Sequence, residues 1–350
     1  MSSNQNDSAN NAAPSEAVAS GTMRIDPALT TTLAAASLAA YTDFEDPTYK
    51  PQLSGYTFVG RFYGWDEWFL GDGRVEKYGL IFKSQTVANR FVVAFRGTDS
   101  DADALAEAFF EFSTFKPYRN SVSPVPDDVS AGFNDIYSGK GASMTQSMQQ
   151  QIFGFLQSQQ MSEVYITGHS LGGALSQLFT LDMRVSFPTV KIQTINFASP
   201  KVGASDWGTA CANAGAAQRI TRVINYLDIV PDLPISFDIF DQYVSLGAEF
   251  RTAFYGGYLP MDELPRHRLL NLQVVLKNCL PLNPQIWVGT FGDAVYPHYK
   301  MTSIAPPSAS KDEMLAKLRE LNSLERSTRE EPRRASNSGL GPESEPVATE

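Results

Sequence analysis

The residues most suited to chemistry lie in GHSLGG, 168–173. Ser170 stands between Gly168 and Gly172, directly after the apolar, β-branched run Val164–Tyr165–Ile166–Thr167. From Ser170 onward, Leu171, Ala174, Leu175 and Leu178 recur at helical spacing. A strand that turns into a helix around one serine, with glycines where a Cβ would clash, is a nucleophile elbow, which presents the hydroxyl at the top of a sheet.

A serine hydroxyl is a weak nucleophile near neutral pH, so it requires a base and a group that orients the base. The chain has three histidines. His169 adjoins the nucleophile, where its side chain is expected to point away from the serine oxygen and pack under the turn. His298, in DAVYPHYK beyond a strand-like stretch, is favoured on position over His267, which lies in the basic segment LPRHRLL. For the acid, Asp228 directly follows the strand-like RVINYL, and Pro231 and Pro234 then force a loop. It also keeps the order serine, acid, histidine. Asp232 is the runner-up, and Asp182 ranks lower because it sits on the elbow helix itself.

The developing oxyanion needs donors. The N–H of Leu171 is one candidate, and Thr98, in VVAFRGTD at the end of an earlier strand, is the other. Immediately afterwards, Leu105, Phe109, Phe112 and Phe115 recur at helical spacing within 101–115, a stripe that suits either a core face or a lid over the site. Asp99, Asp101 and Asp103 imitate the opening of a calcium loop. Ala104 and Phe110 occupy the positions that need glycine and glutamate, so no metal site is expected.

These residues must be positioned by a scaffold. Asp26–Pro27 opens a helix carrying Leu29, Leu33, Ala36 and Ala40 on one face. Residues 55–97 read as strands separated by glycine, aspartate and asparagine turns. A helix over 143–160 leads into the strand before Ser170, and KIQTINFA and ITRVINYL are two further strands with a helix-capable segment between them. Apolar strands alternating with helices imply an α/β fold, a mostly parallel central sheet with helices on both faces. Residues 229–297 are less regular. Residues 1–23 read as a disordered tail, 24–307 as the folded domain, and 308–350 as a short helix and a disordered tail.

The chain has 350 residues, 43% of them hydrophobic, enough for one sizeable core. Its net charge of −10 disfavours nucleic acid and strong adsorption to anionic membranes. Two cysteines, Cys211 and Cys279, make no disulfide framework, and their spacing does not say whether they pair. There is no signal-peptide pattern and no run of transmembrane length, so the default expectation is a cytoplasmic protein, with export by a route without a cleaved signal as the alternative.

GHSLGG, the FRGT after a strand, NFASPKVG (196–203), NYLDIVPDLP (225–234), the alanine-rich opening helix ending in Tyr41, and SAGF (130–133) together resemble the class 3 lipase family. The resemblance spans roughly 26–305. It implies the α/β-hydrolase fold, Ser170 as nucleophile, Asp228 as acid, the Thr98 region and Leu171 as oxyanion donors, and a lid where 101–115 lies. It further implies hydrolysis of lipid or other carboxylic esters at a lipid–water interface through a triad that needs no cofactor. The alternatives are an esterase or acyltransferase on soluble esters, or a catalytically silent lipase-like binding module. The family's histidine sits in a C-terminal stretch with a tyrosine close after it, which His298–Tyr299 matches loosely. Two departures from the family pattern stand out. The 69 residues between Asp228 and His298 exceed the family minimum and suit an added cap, and SAGF lacks a preceding histidine.

Overall fold

A computed structural model describes residues 25–67, 73–98, 111–234, 243–256, 264–279, 289–293 and 300–305, with most of 312–320. In chain order these hold α1 (Pro27–Glu45), β1 (Tyr56–Asp66), β2 (Arg74–Ser84), β3 (Arg90–Phe95), β4 (Phe112–Ser113), β5 (Val129–Ser130), α2 (Ala131–Ser138), α3 (Met148–Ser158) and β6 (Glu163–Gly168). There follow α4 (Leu171–Ser186), β7 (Lys191–Phe197), α5 (Ser205–Asn213), β8 (Ile220–Asn225), β9 (Ala248–Gly256), α6 (Leu264–His267), α7 (Leu269–Cys279), β10 (Gly289–Asp293) and β11 (Lys300–Ala305).

The sheet runs β1-β2-β3-β6-β7-β8-β9-β11-β10. Its centre, β3 through β9, is parallel, and both flanks are antiparallel. Central strands buried on both faces require continuous apolar runs, which RFVVAF supplies. Phe91, Val93 and Phe95 enter the core beneath α2, α3, α4 and α5, while Val92 and Ala94 enter the one beneath α1 and α7. This is the α/β-hydrolase arrangement implied by the resemblance.

Local chemistry fixes the helix starts. The Asp26 carboxylate accepts from Leu29 N at 3.0 Å, with Pro27 in the first turn of α1. Ser147 and Gln150 form a reciprocal capping box, so α3 begins at Met148 rather than at 143. The irregular stretch after 229 contributes β9, α6, α7, β10 and β11, and extends the sheet on the side of β8.

The 101–115 stripe is not one helix. Phe112 lies in β4, paired with β5 and exposed, whereas Phe115 is fully buried between Tyr137 and Trp207. Phe115 is therefore core, and its match to helical spacing is a coincidence of burial. Leu105 and Phe109 lie outside the described residues, as do residues 1–23, residues 321–350 and His298. Cys211 is a buried free thiol.

Candidate active site

The turn from β6 into α4 is held by close backbone packing. A Cβ at Gly172 would meet the carbonyl oxygens of Phe95 and Arg96 at 2.6 Å, and one at Gly168 would collide with the carbonyl of Gly172. Between them Ser170 adopts φ 56° and ψ −126°, a conformation rare for a residue with a side chain. Its N–H donates to the Phe197 carbonyl at 3.0 Å, which ties the elbow to β7. The serine Oγ is buried and has no hydrogen-bond partner.

The strand before the oxyanion candidate is braced from below. Buried Arg96 donates from Nε to the Lys77 carbonyl and from Nη1 to the Gly97 carbonyl, both at 2.8 Å. Its guanidinium lies over the rings of Phe44, at 3.7 Å, and Tyr78, at 4.8 Å. At Gly97 a Cβ would come within 3.1 Å of Ser170 Cβ, so only glycine lets this loop approach the elbow. Thr98 follows directly and lines a cavity of 240 Å³ together with Tyr41, His169, His267 and Arg268. Leu171 is the first residue of α4, where the N–H has no intrahelical partner.

Asp228 lies three residues beyond β8. Its Oδ1 accepts from Val230 N at 3.0 Å, and its Oδ2 is 2.8 Å from His267 Nδ1. Buried Arg222 secures this loop from beneath by donating to the carbonyls of Ser199 and Pro231, each at 2.9 Å, while pairing with Glu249 at 3.0 Å. Asp232 is exposed in the following 3-10 turn, and Asp182 is enclosed on α4. Of the three sequence candidates for the acid, Asp228 is the one that meets a histidine ring among the described residues.

That histidine is His267, the second choice on sequence position. His267 closes α6, a helix of four residues. The C-terminal carbonyls of so short a helix have no partners inside it, and two side chains from the sheet supply them. Asn225 Nδ2 donates to the Arg266 carbonyl at 3.1 Å, and His169 Nε2 donates to the His267 carbonyl at 2.7 Å. Asn225, buried at the end of β8, also accepts from Phe254 N at 3.1 Å and so joins β8, β9 and α6. Asn225 has no signature in the sequence beyond its place at a strand end.

His169 packs under the turn as expected. Its Nδ1 lies 2.8 Å from the Tyr41 hydroxyl, and burial pushes its basicity well below the ordinary histidine range. The rings of His169 and His267 are 4.6 Å apart between centroids. His267 Nε2, the nitrogen that faces away from Asp228, is buried and has no hydrogen-bond partner, like Ser170 Oγ. Among the described residues no group of three His, Cys, Asp or Glu side chains could hold a metal ion, and no helix is long and apolar enough to cross a membrane.

Residues 92–237 match the family described as lipase (class 3). A lipase of Rhizopus niveus is 29% identical over 161 residues, which cover 45% of this chain and 37% of that protein. The triacylglycerol lipase OBL1 of Ricinus communis is 24% identical over 227 residues, 51% of this chain and 41% of that protein. The chain thus spans well under half the length of these curated relatives. In fold it is similar to the nonglycosylated LIP2 lipase of Yarrowia lipolytica, with a TM-score of 0.50 and 19% identity over 65% of this chain and 80% of that one.

Proposed function

Residues 92–237 match the class 3 lipase family, and from that premise we propose that the protein is a serine hydrolase of carboxylic esters, acting on acylglycerol or related lipid esters. The observations that carry this reading are the strained Ser170, its Oγ buried and unpartnered, and an Asp228–His267 hydrogen bond of 2.8 Å whose outer nitrogen is also unpartnered, with the His267 ring packed on that of His169, the residue before the serine.

In this reading Ser170 Oγ attacks the ester carbonyl while His267 Nε2 removes its proton. Asp228 holds the imidazole with its Nδ1–H directed at the carboxylate and stabilises the imidazolium that forms. The N–H of Leu171 and the Thr98 loop receive the developing oxyanion, a contribution of about 10²–10³ in rate for each donor. The tetrahedral intermediate collapses, His267 returns the proton to the departing alcohol, and an acyl-enzyme remains on Ser170. Water then attacks, activated by the same imidazole, and releases the fatty acid. Proton transfer and oxyanion stabilisation suffice for this chemistry, without a metal or organic cofactor.

The test is turnover of a chain-length series of p-nitrophenyl esters by the wild type and by Ser170→Ala. Loss of turnover by several orders of magnitude in the variant supports the hydrolase. A rate that climbs above the solubility limit of the longer esters supports action at a lipid–water interface, and a flat profile favours an esterase of soluble substrates. A wild type no faster than the variant on every ester, and unlabelled by a fluorophosphonate, overturns the reading in favour of a lipase-like binding module.

A further inference from the structure

The residue before the nucleophile holds the residue that carries the base. His169 belongs to the elbow, and its Nε2 lies 2.7 Å from the backbone carbonyl of His267. A carbonyl only accepts, so this nitrogen bears the hydrogen. The other ring nitrogen, Nδ1, then accepts from the Tyr41 hydroxyl at 2.8 Å. Tyr41 stands on α1 and faces the Thr98 loop as well, since a Cβ on Gly97 would collide with its hydroxyl oxygen. One side chain thus connects the helix under the sheet, the elbow and the base-bearing segment.

The need for such a connection follows from the weakness of α6. Four residues make less than one stable turn in isolation. The segment comes back to β8 and β9 only through tertiary contacts, and two of these are hydrogen bonds to its last two carbonyls. Asn225 fixes the Arg266 carbonyl to the strand that carries the acid. His169 fixes the His267 carbonyl to the loop that carries the nucleophile.

We propose that His169, in the tautomer imposed by Tyr41 and the His267 carbonyl, is a positioning residue that sets the distance between Ser170 Oγ and His267 Nε2. The proposal rests on the hydrolase reading for its kinetic consequence but not for its geometry. Burial keeps the His169 ring neutral, so the tautomer, rather than a charge, carries the effect. A misplacement of about 1 Å between reacting groups is worth about 10²-fold in rate, which sets the scale expected.

A pair of amide substitutions separates this role from simple packing. The amide nitrogen of glutamine falls where His Nε2 stands, whereas that of asparagine falls near Nδ1. His169→Gln restores the donor to the His267 carbonyl and is expected to keep kcat near wild type. His169→Asn is expected to lower kcat about 10- to 100-fold with KM unchanged. Tyr41→Phe, the mildest change, removes only the donor to Nδ1 and is expected to cost a smaller factor in kcat, again at constant KM.

A second readout needs no turnover. The His267 Nδ1 proton, shared with Asp228, gives a far-downfield proton resonance that should persist in wild type and His169→Gln and broaden or vanish in His169→Asn. Equal losses in kcat and resonance for Gln and Asn would overturn the proposal, as would a wild-type kcat in His169→Asn. If the wild type hydrolyses no ester while the resonance follows the predicted order, the hydrolase reading fails and the positioning role stands.

Discussion

Two buried carboxylates of this fold, Asp182 and Asp228, are alike in burial and opposite in what surrounds them. Asp182, on α4, receives four donors: Tyr118 N at 2.7 Å and Ser186 Oγ at 2.8 Å on one oxygen, Gln149 Nε2 at 2.6 Å and Tyr137 Oη at 2.9 Å on the other. Those donors come from α2, α3, α4 and the loop after Phe115, so the carboxylate pins three helices together. Its network is closed. Asp228 receives one backbone donor and one imidazole, and beyond that imidazole the network ends on His267 Nε2, a buried atom with no partner, in a site that also contains an unpartnered Ser170 Oγ. Leaving such atoms unpaired costs free energy, on the order of 1–3 kcal/mol each. A fold retains that cost where a substrate is to complete the network. In the proposed reading, the chain of hydrogen bonds that stops short marks the carboxylate of the reaction, and the closed one marks the carboxylate of support.

The largest effects should fall on the open network. Asp228→Asn presents an amide to His267 and favours the wrong tautomer, with an expected fall of about 10⁴-fold in kcat and an unchanged melting temperature. His267→Ala should fall at least as far, because proton transfer itself is lost. The same assays on His298→Gln should give wild-type turnover. Loss of activity in His298→Gln together with retention in His267→Ala would assign the base to His298 and break the comparison at its centre.

Legibility in the sequence divides along the same line. Ser170, its glycines, Leu171 and Asp228 are placed by contiguous strand, turn and helix, so local spacing reveals them. The parallel sheet is equally visible, because doubly buried strands must be continuous apolar runs. His267 is not visible in this way. It is carried by a four-residue helix too short to show a periodicity of its own, and Arg266 and Arg268 on either side give it the look of a surface histidine. What brings it to Asp228 is a set of side-chain bonds from Asn225 and His169, residues separated from it by 42 and 98 positions. Phe115 shows the converse case, a residue whose helical spacing to Leu105 and Phe109 suits a lid while its ring fills the core beside Trp207.

The closed network predicts a smaller, structural effect. Asp182→Asn replaces an oxygen that accepts from Gln149 and Tyr137 with an amine, which leaves donors facing donors in a buried site. The expected loss is about 3 kcal/mol of unfolding free energy, measured by urea denaturation at neutral pH. The kcat of the folded fraction should stay at the wild-type value. A fall of orders of magnitude in kcat at undiminished stability would move Asp182 into the reaction and erase the contrast with Asp228.

The smallest effect concerns the proton on Asp182. Burial raises this carboxyl from the ordinary value of 3.8 to about 6, outweighing the four donors that act in the opposite direction. The native state then holds a proton between about pH 4 and pH 6 that the unfolded chain has released, so stability from this group falls as pH rises through that window. At about 1.4 kcal/mol per pH unit, the fall across the window amounts to roughly 3 kcal/mol at most. The difference in unfolding free energy between wild type and Asp182→Asn isolates the group, because every other carboxylate titrates alike in both chains. That difference should shrink from pH 4 to pH 6 and become constant above about pH 7. A difference that grows over the same interval would mean that the donors overcome burial and hold Asp182 ionised, so that this supporting carboxylate carries a charge within the core.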